Sequence, residues 1–251
     1  MCLILFAYKM QNSTPLVIAA NRDEFYTRPT KAAHYWENFP DLLAGKDLEA
    51  GGTWLGVTKT GRFAAVTNLA SVTRTAPVSR GGLALDFLKG GQRAADYAAS
   101  LRIGQYQGFN LILFDGHSLV YISNGHGEKI RELTPGYYGL SNADLDSDWP
   151  KVHQGKQGLK WLIESRALAE ERTPTVRHEG LVQLLQNELP APEVALADAG
   201  DYRAGSCFIR GQDYGTRAST SVLIGDSSIS FFEQNYTAGG ISAEFQLFNL
   251  E

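Results

Sequence analysis

A cysteine directly behind the initiator methionine, and the run Asn21-Arg22-Asp23-Glu24 further along, are the residues whose types and spacing point to chemistry. Removal of a methionine that precedes a small residue would leave Cys2 with both a thiol and a free α-amine. An amine with a pKa of about 7.7–8.0 beside a thiol of about 8.5 makes a self-contained base and nucleophile near neutral pH. Strand alternation sorts the second motif onto two faces, Asn21 and Asp23 on one and Arg22 and Glu24 on the other. The apolar run Leu16–Ala20 precedes it, so the motif ends a buried strand, where charges are costly unless paired. One reading puts Arg22, Asp23 or Glu24 next to Cys2 on a neighbouring strand; the other makes the run a strand-end salt-bridge cluster facing water.

Further polar positions could complete such a site. Thr67-Asn68 ends a strand and Gly139-Leu140-Ser141-Asn142 ends a loop, and asparagine amides of this kind can donate to an oxyanion or simply close a turn. Arg217 precedes a strand, where an arginine can hold a carboxylate or lie on the surface. Gly51-Gly52-Thr53-Trp54-Leu55-Gly56 is a glycine-flanked aromatic, open to a ligand's approach or to a bulge or tight turn. His34, His117, His126, His153 and His178 form no zinc spacing, and neither cysteine belongs to a CxxC pair, so no metal site is expected. There is no phosphate-binding glycine loop, no dinucleotide fingerprint and no G-x-S-x-G elbow.

Elements that could position these residues follow from the patterning. Strands are expected over 2–8 and 16–23 around the turn Asn12-Ser13-Thr14-Pro15, and over 53–57 and 62–67 around Thr60-Gly61. Residues 109–114 and 118–123 flank Asp115-Gly116, a type I′ hairpin signal, and 129–133 add a strand. Ser79 is placed to cap a helix that stops at Gly90-Gly91, and a second helix covers about 92–102. After a loop at 134–149, a long helix starts near Pro150, and another spans 178–188. Residues 206–209, 220–225, 228–233 and 243–248 read as extended. The order strands, helices, strands, helices, strands is that of an α+β protein: two mainly antiparallel sheets packed face to face with helix layers outside, in one domain over residues 1–251.

The composition narrows the function. A formal net charge of −4 gives no electrostatic case for nucleic acid or an anionic membrane as main partner. The apolar start Cys2–Ala7 lacks a basic flank and is too short for an export signal or a span, and no later stretch could cross a bilayer. Two cysteines without an export signal point to a reducing compartment, and the expected location is cytoplasmic, although one disulfide between Cys2 and Cys207 is conceivable.

Met1-Cys2-Leu3-Ile4 and Ala20-Asn21-Arg22-Asp23-Glu24-Phe25 resemble the NRDE family, also called Transport and Golgi organisation protein 2. The resemblance continues through Arg28-Pro29, Gly51–Gly56, Thr67-Asn68, Ser79-Arg80-Gly81, Phe109-Asn110-Leu111, Tyr138–Asn142 and Thr216-Arg217, nearly the whole chain. It implies an N-terminal nucleophile hydrolase-like fold, the four-layer αββα sandwich. A more distant resemblance to choloylglycine and penicillin V acylases would make Cys2 the nucleophile, Asn142 an oxyanion donor with Asn68 beside it in the candidate set, and Arg217 an arginine near the site. Those acylases carry Arg-Asn-x-Asp after the second strand, so the roles of Arg22, Asp23 and Glu24 stay open. The family resemblance also implies haem trafficking: transient binding of a hydrophobic small molecule, with Cys2, Asn21 and Trp54 as contacts, haem as cargo and no required cofactor. The alternative is an N-terminal cysteine amidohydrolase acting on a C–N amide bond.

Overall fold

The computed structural model describes residues 2–69, 78–125, 129–169, 171–188 and 205–250; His126, among the histidines read above, lies outside them. The chain divides into two compact units, residues 1–27, 135–141 and 145–251 in the first and 28–134 with 142–144 in the second.

The first unit is built on an antiparallel sheet in the order β10 (Gly136–Leu140), β1 (Cys2–Tyr8), β2 (Leu16–Phe25), β11 (Tyr214–Ile224), β12 (Ile229–Thr237) and β13 (Ile241–Leu250). Its helices are α3 (Pro150–Glu164) and α4 (Pro174–Leu185). Leu3, Leu5 and Ala7 of β1, Val17 and Ala19 of β2 and Leu223 of β11 form one core cluster with Val152, Leu159, Leu162, Leu181 and Leu185 of the helices. The alternate residues Ile4, Phe6 and Ile18 are equally buried. Burial on both faces explains why β1 and the start of β2 read as continuous apolar runs rather than alternating ones. Gly155 of α3 sits where an added Cβ would lie 2.7 Å from Leu5 Cδ1, so the glycine permits the close approach of helix to strand.

In the second unit the sheet order is β3 (Thr30–Trp36), β4 (Phe39–Asp47), β5 (Leu55–Thr58), β6 (Phe63–Asn68), β7 (Phe109–Phe114), β8 (Leu119–Ser123) and β9 (Lys129–Glu132). Helices α1 (Gly81–Lys89) and α2 (Ala94–Ser100) bring Leu83, Phe87, Leu88, Ala94 and Ala98 against Ala44, Ala64, Leu111, Leu113, Val120 and Ile122.

Several expectations need correction. Residues 136–140, read as loop, form edge strand β10 and pair with β1, Ile4 opposite Leu140. The glycines of Gly136-Tyr137-Tyr138-Gly139 masked a strand whose tyrosines suit a pleated sheet. Residues 206–209 are not a strand; Phe208 N–H donates to Asn187 O and Thr216 N–H to Ile209 O, which satisfies their backbone without a ladder. Asp115-Gly116 does not make the two-residue type I′ turn, since only Gly116 has positive φ. The Asp115 carboxylate instead accepts from His117 N–H and Ser118 N–H and holds a wider loop. Strands β3 and β4 were not anticipated, and α4 begins four residues earlier than expected, at Pro174, with Thr173 Oγ1 accepting from Val176 N–H.

Candidate functional site

Strand pairing decides which side chains share a face. In β1–β2, Cys2 stands directly opposite Arg22 and Leu3 opposite Asn21. Directly opposed residues in an antiparallel pair project to the same side, so Cys2 and Arg22 share a face and Glu24, two residues on, joins them. Between β2 and β11, Asp23 pairs with Thr216 and Arg22 with Ala218, leaving Arg217 as the extra residue of a β-bulge. A bulge re-aims its side chain. Arg217 Nη1 donates to Phe25 O at 3.2 Å.

The face that carries the thiol is therefore cationic. Arg22, only 6% exposed, lies 3.9 Å from the Glu24 carboxylate. Burial lowers the pKa of Arg217, the charge of Arg22 lowers it further, and Glu24 opposes both. The guanidinium groups of Arg22 and Arg217 and the Glu24 carboxylate thus interact with one another in this region. Cys2 is half-buried at the strand end, and its carbonyl accepts from Ser141 Oγ at 2.6 Å. Neither Cys2 nor Cys207 is in a disulfide.

Asn21 and Asp23 face the helices. Asn21 Nδ2 donates to Leu185 O at 2.9 Å and to Cys207 O at 2.7 Å, while its Oδ1 accepts from Ser219 Oγ at 2.7 Å. The amide ties β2 to the end of α4, to residue 207 and to β11 at once. Asp23 Oδ1 accepts from Thr216 Oγ1 at 2.8 Å. Burial raises the Asp23 pKa, opposed chiefly by the charge of Lys151, itself fully buried in the first turn of α3. The same burial pushes the Cys207 thiol up to about 11. Of the two carboxylates left open by the sequence, Glu24 is the one on the Cys2 face.

Asn68 and Asn142 belong to the second unit and meet there: Asn142 Nδ2 donates to Asn68 O at 3.0 Å and also to its side-chain oxygen. Asn110 orders the same segment. Its Nδ2 donates to Ala143 O at 2.9 Å and Thr67 Oγ1 at 3.2 Å, and its Oδ1 accepts from Tyr121 Oη at 2.8 Å. Trp54 is half-buried, and its ring fills the place a Cβ of Gly45 would take, at 2.2 Å. Gly52 lies against the backbone of Gly81, so the space beside it is taken by the chain's own glycine rather than left for a ligand.

Sequence reasoning passed over Ser219 and Lys151 as partners of the motif, Ser141 as a partner of Cys2, and Asn110 as a partner of Thr67 and Ala143. Only Lys151 carried a usable signal: it lies four and eight residues before Gly155 and Leu159, on the buried stripe of α3. The others bond to groups far away in the chain. Among the described residues no three His, Cys, Asp or Glu side chains gather into a metal site. No helix among them is long and apolar enough to cross a membrane.

Comparison with known proteins extends this picture. A family model described as Transport and Golgi organisation 2 matches residues 1–238. The chain is 36% identical over 260 residues to the human Transport and Golgi organization protein 2 homolog, covering 94% of this chain and 93% of that protein. It is 28% identical over 271 residues to the Drosophila melanogaster Transport and Golgi organization protein 2, with 94% and 93% covered. Among solved structures, the C2A mutant of conjugated bile acid hydrolase from Clostridium perfringens superposes with a TM-score of 0.59 at 7% identity, over 100% of this chain and 92% of that one. Its likeness bears out the α+β, N-terminal nucleophile hydrolase-like sandwich class expected from the sequence.

Proposed function

Because the chain belongs to the Transport and Golgi organisation 2 family, we propose that it binds an anionic, largely hydrophobic small molecule at the Cys2 face of the first unit and releases it again, with haem as the first candidate cargo. The observation that supports this is the grouping of the Cys2 thiol with Arg22 and Arg217, enforced by strand register and by the bulge. A thiol is a competent donor to haem iron, and guanidinium groups pair with propionate carboxylates. The residues present suit such a cargo: a half-buried sulfur at a strand end, with the guanidinium groups of Arg22 and Arg217 close to the same carboxylate. Strong ligation is not needed in a carrier, because tight binding would prevent hand-over.

The test is a haem titration followed in the Soret region, on wild type, Cys2→Ala and Arg217→Gln. Saturable binding at micromolar haem is expected for wild type. Cys2→Ala should shift the absorption maximum, and Arg217→Gln should weaken binding about tenfold, the scale of one lost charge-assisted hydrogen bond. No saturable change in wild type, or three identical titrations, overturns the reading.

A second reading is an N-terminal cysteine amidohydrolase, favoured by the fold and by the position of Cys2. The solved protein of similar fold is named for its action on conjugated bile acid and was studied as a C2A mutant. With Met1 removed, the Cys2 amine would take the thiol proton, and the thiolate would attack the amide carbon. The C–N bond would break as the leaving amine regained that proton, and water would hydrolyse the thioester. The more distant resemblance to choloylglycine and penicillin V acylases would give the oxyanion role to Asn142. Intact mass separates the two readings: a chain that keeps its methionine has an amide nitrogen at Cys2 and lacks the base. Turnover of an amide substrate by Cys2→Ser at the wild-type rate sinks this second reading.

A further inference from the structure

Among the described residues the two sheets end in four edge strands, β3, β9, β10 and β13. An edge presents outward N–H and C=O groups that another extended chain can pair with, and proteins block it with charge, irregularity or cover. Three of these edges are blocked. β3 carries Lys31 and two breaks in its register with β4. β9 is four residues long, and Lys129, Arg131 and Glu132 are charged. The edge of β10 is covered by its own chain: Asp146 N–H donates to Gly139 O at 2.8 Å, and Gly139 N–H donates to the Asp146 carboxylate at 2.9 Å. β13 differs. Its one irregularity falls between Ser242 and Phe245, and from Phe245 to Leu250 it pairs with β12 without a break. That stretch, Phe-Gln-Leu-Phe-Asn-Leu, holds no charged residue and no proline. Every position of Ile241–Phe245 is exposed. Phe245 is 66% exposed although its ring stacks on Phe232, with centroids 5.8 Å apart.

We propose that β13 is a dimer contact: it pairs antiparallel with β13 of a second copy of this chain, about a twofold axis at Leu247, and joins two sheets into one. Leu247 lies in the middle of the regular stretch, so this register uses nearly all of it. Phe245 then stands opposite the partner's Asn249 and diagonal to the partner's Leu247, a cross-strand contact that covers its exposed ring. Charge favours a copy of the same strand. Glu244 is the one charged residue of β13, and the twofold sets the two Glu244 carboxylates about 20 Å apart along the paired strands, beyond the screening length at physiological salt. A charged segment of another protein would find no counter-charge on Phe245–Leu250. Geometry favours two copies rather than many. With the other three edges blocked, edge pairing joins β13 to β13 alone and closes at a dimer, where a second open edge would allow a filament.

Sedimentation equilibrium of the full chain tests this, on wild type and on two double variants at exposed positions. Wild type should reach twice the chain mass, with a Kd on the order of 10 µM or tighter. Phe245→Glu with Asn249→Glu sets like charges opposite each other across the twofold and should weaken the dimer more than about a hundredfold. Phe245→Glu with Asn249→Lys sets opposite charges there and should restore it. Within one chain the two positions lie about 13 Å apart along the strand, so both variants should keep the wild-type circular dichroism spectrum. A wild type that stays monomeric at about ten times that Kd overturns the proposal and leaves the edge to a strand of another protein. A species heavier than a dimer overturns the closed twofold. A dimer that the two glutamates leave intact, or that the glutamate–lysine pair fails to restore, overturns the pairing of β13 with itself in this register.

Discussion

Replacing His178 with glutamine should remove a defined part of the protein's acid sensitivity. The imidazole is fully buried between two serine hydroxyls on β11 and β12, and stacks on Phe232 at 5.8 Å between ring centroids. Burial, with the charge of Arg177, holds it neutral down to about 3, against an ordinary value of 6.5. The folded value lies below the unfolded one, so the unfolded chain binds the extra proton first. The contribution to stability is complete above pH 6.5 and is lost progressively as the pH falls towards about 3. Each pH unit in that window removes about 1.4 kcal/mol, so about 2 kcal/mol is gone by pH 5. Urea unfolding at pH 7.5 and pH 5 measures it. Wild type should lose about 2 kcal/mol more than His178→Gln between the two conditions. All other titrating groups, including Asp23, whose raised pKa acts in the opposite sense, are common to both proteins and cancel. Equal losses in the two proteins would refute the account of a buried neutral histidine.

Other outcomes follow from the same geometry. In the native protein a thiol reagent should label Cys2 and spare Cys207, which is 3% exposed with its pKa at about 11; rapid labelling of both sites contradicts that burial. Gly52→Ala should destabilise by about 1–3 kcal/mol, because the new Cβ would lie 2.5 Å from the Gly81 carbonyl carbon, backbone that cannot rotate aside. Gly91→Ala, with no atom within 4 Å, should be neutral in the same urea titration. Asn21→Leu should cost about 3 kcal/mol of stability, since it strips bonds from Leu185 O, Cys207 O and Ser219 Oγ. A fold that tolerates it at wild-type stability would show that the amide clamp is not needed.

Much of the fold was legible because local rules act locally. The apolar runs of β1, β2 and β7, the turn at residues 12–15, and Pro150 at the start of α3 report their own conformations. Strand alternation even separated Asn21 and Asp23 from Arg22 and Glu24 without reference to any partner strand. Strand β10 escaped because its glycines look like loop; its pairing to β1 compensates for their weak propensity. Helix α4 started earlier than its apolar stripe because Thr173 and Pro174 form the cap, a signal outside the periodic residues.

By itself the sequence determined which two faces of one strand the residues of the Asn21–Glu24 motif occupy. Only the tertiary structure decided that Glu24, not Asp23, stands on the side of Cys2. It alone set Arg217 beside them and made Asn21 a clamp. The reason is register: a side chain's face is a property of its own strand, with a period of two, whereas its neighbours depend on how far the partner strand slides, and on the one-residue bulge that shifts Arg217.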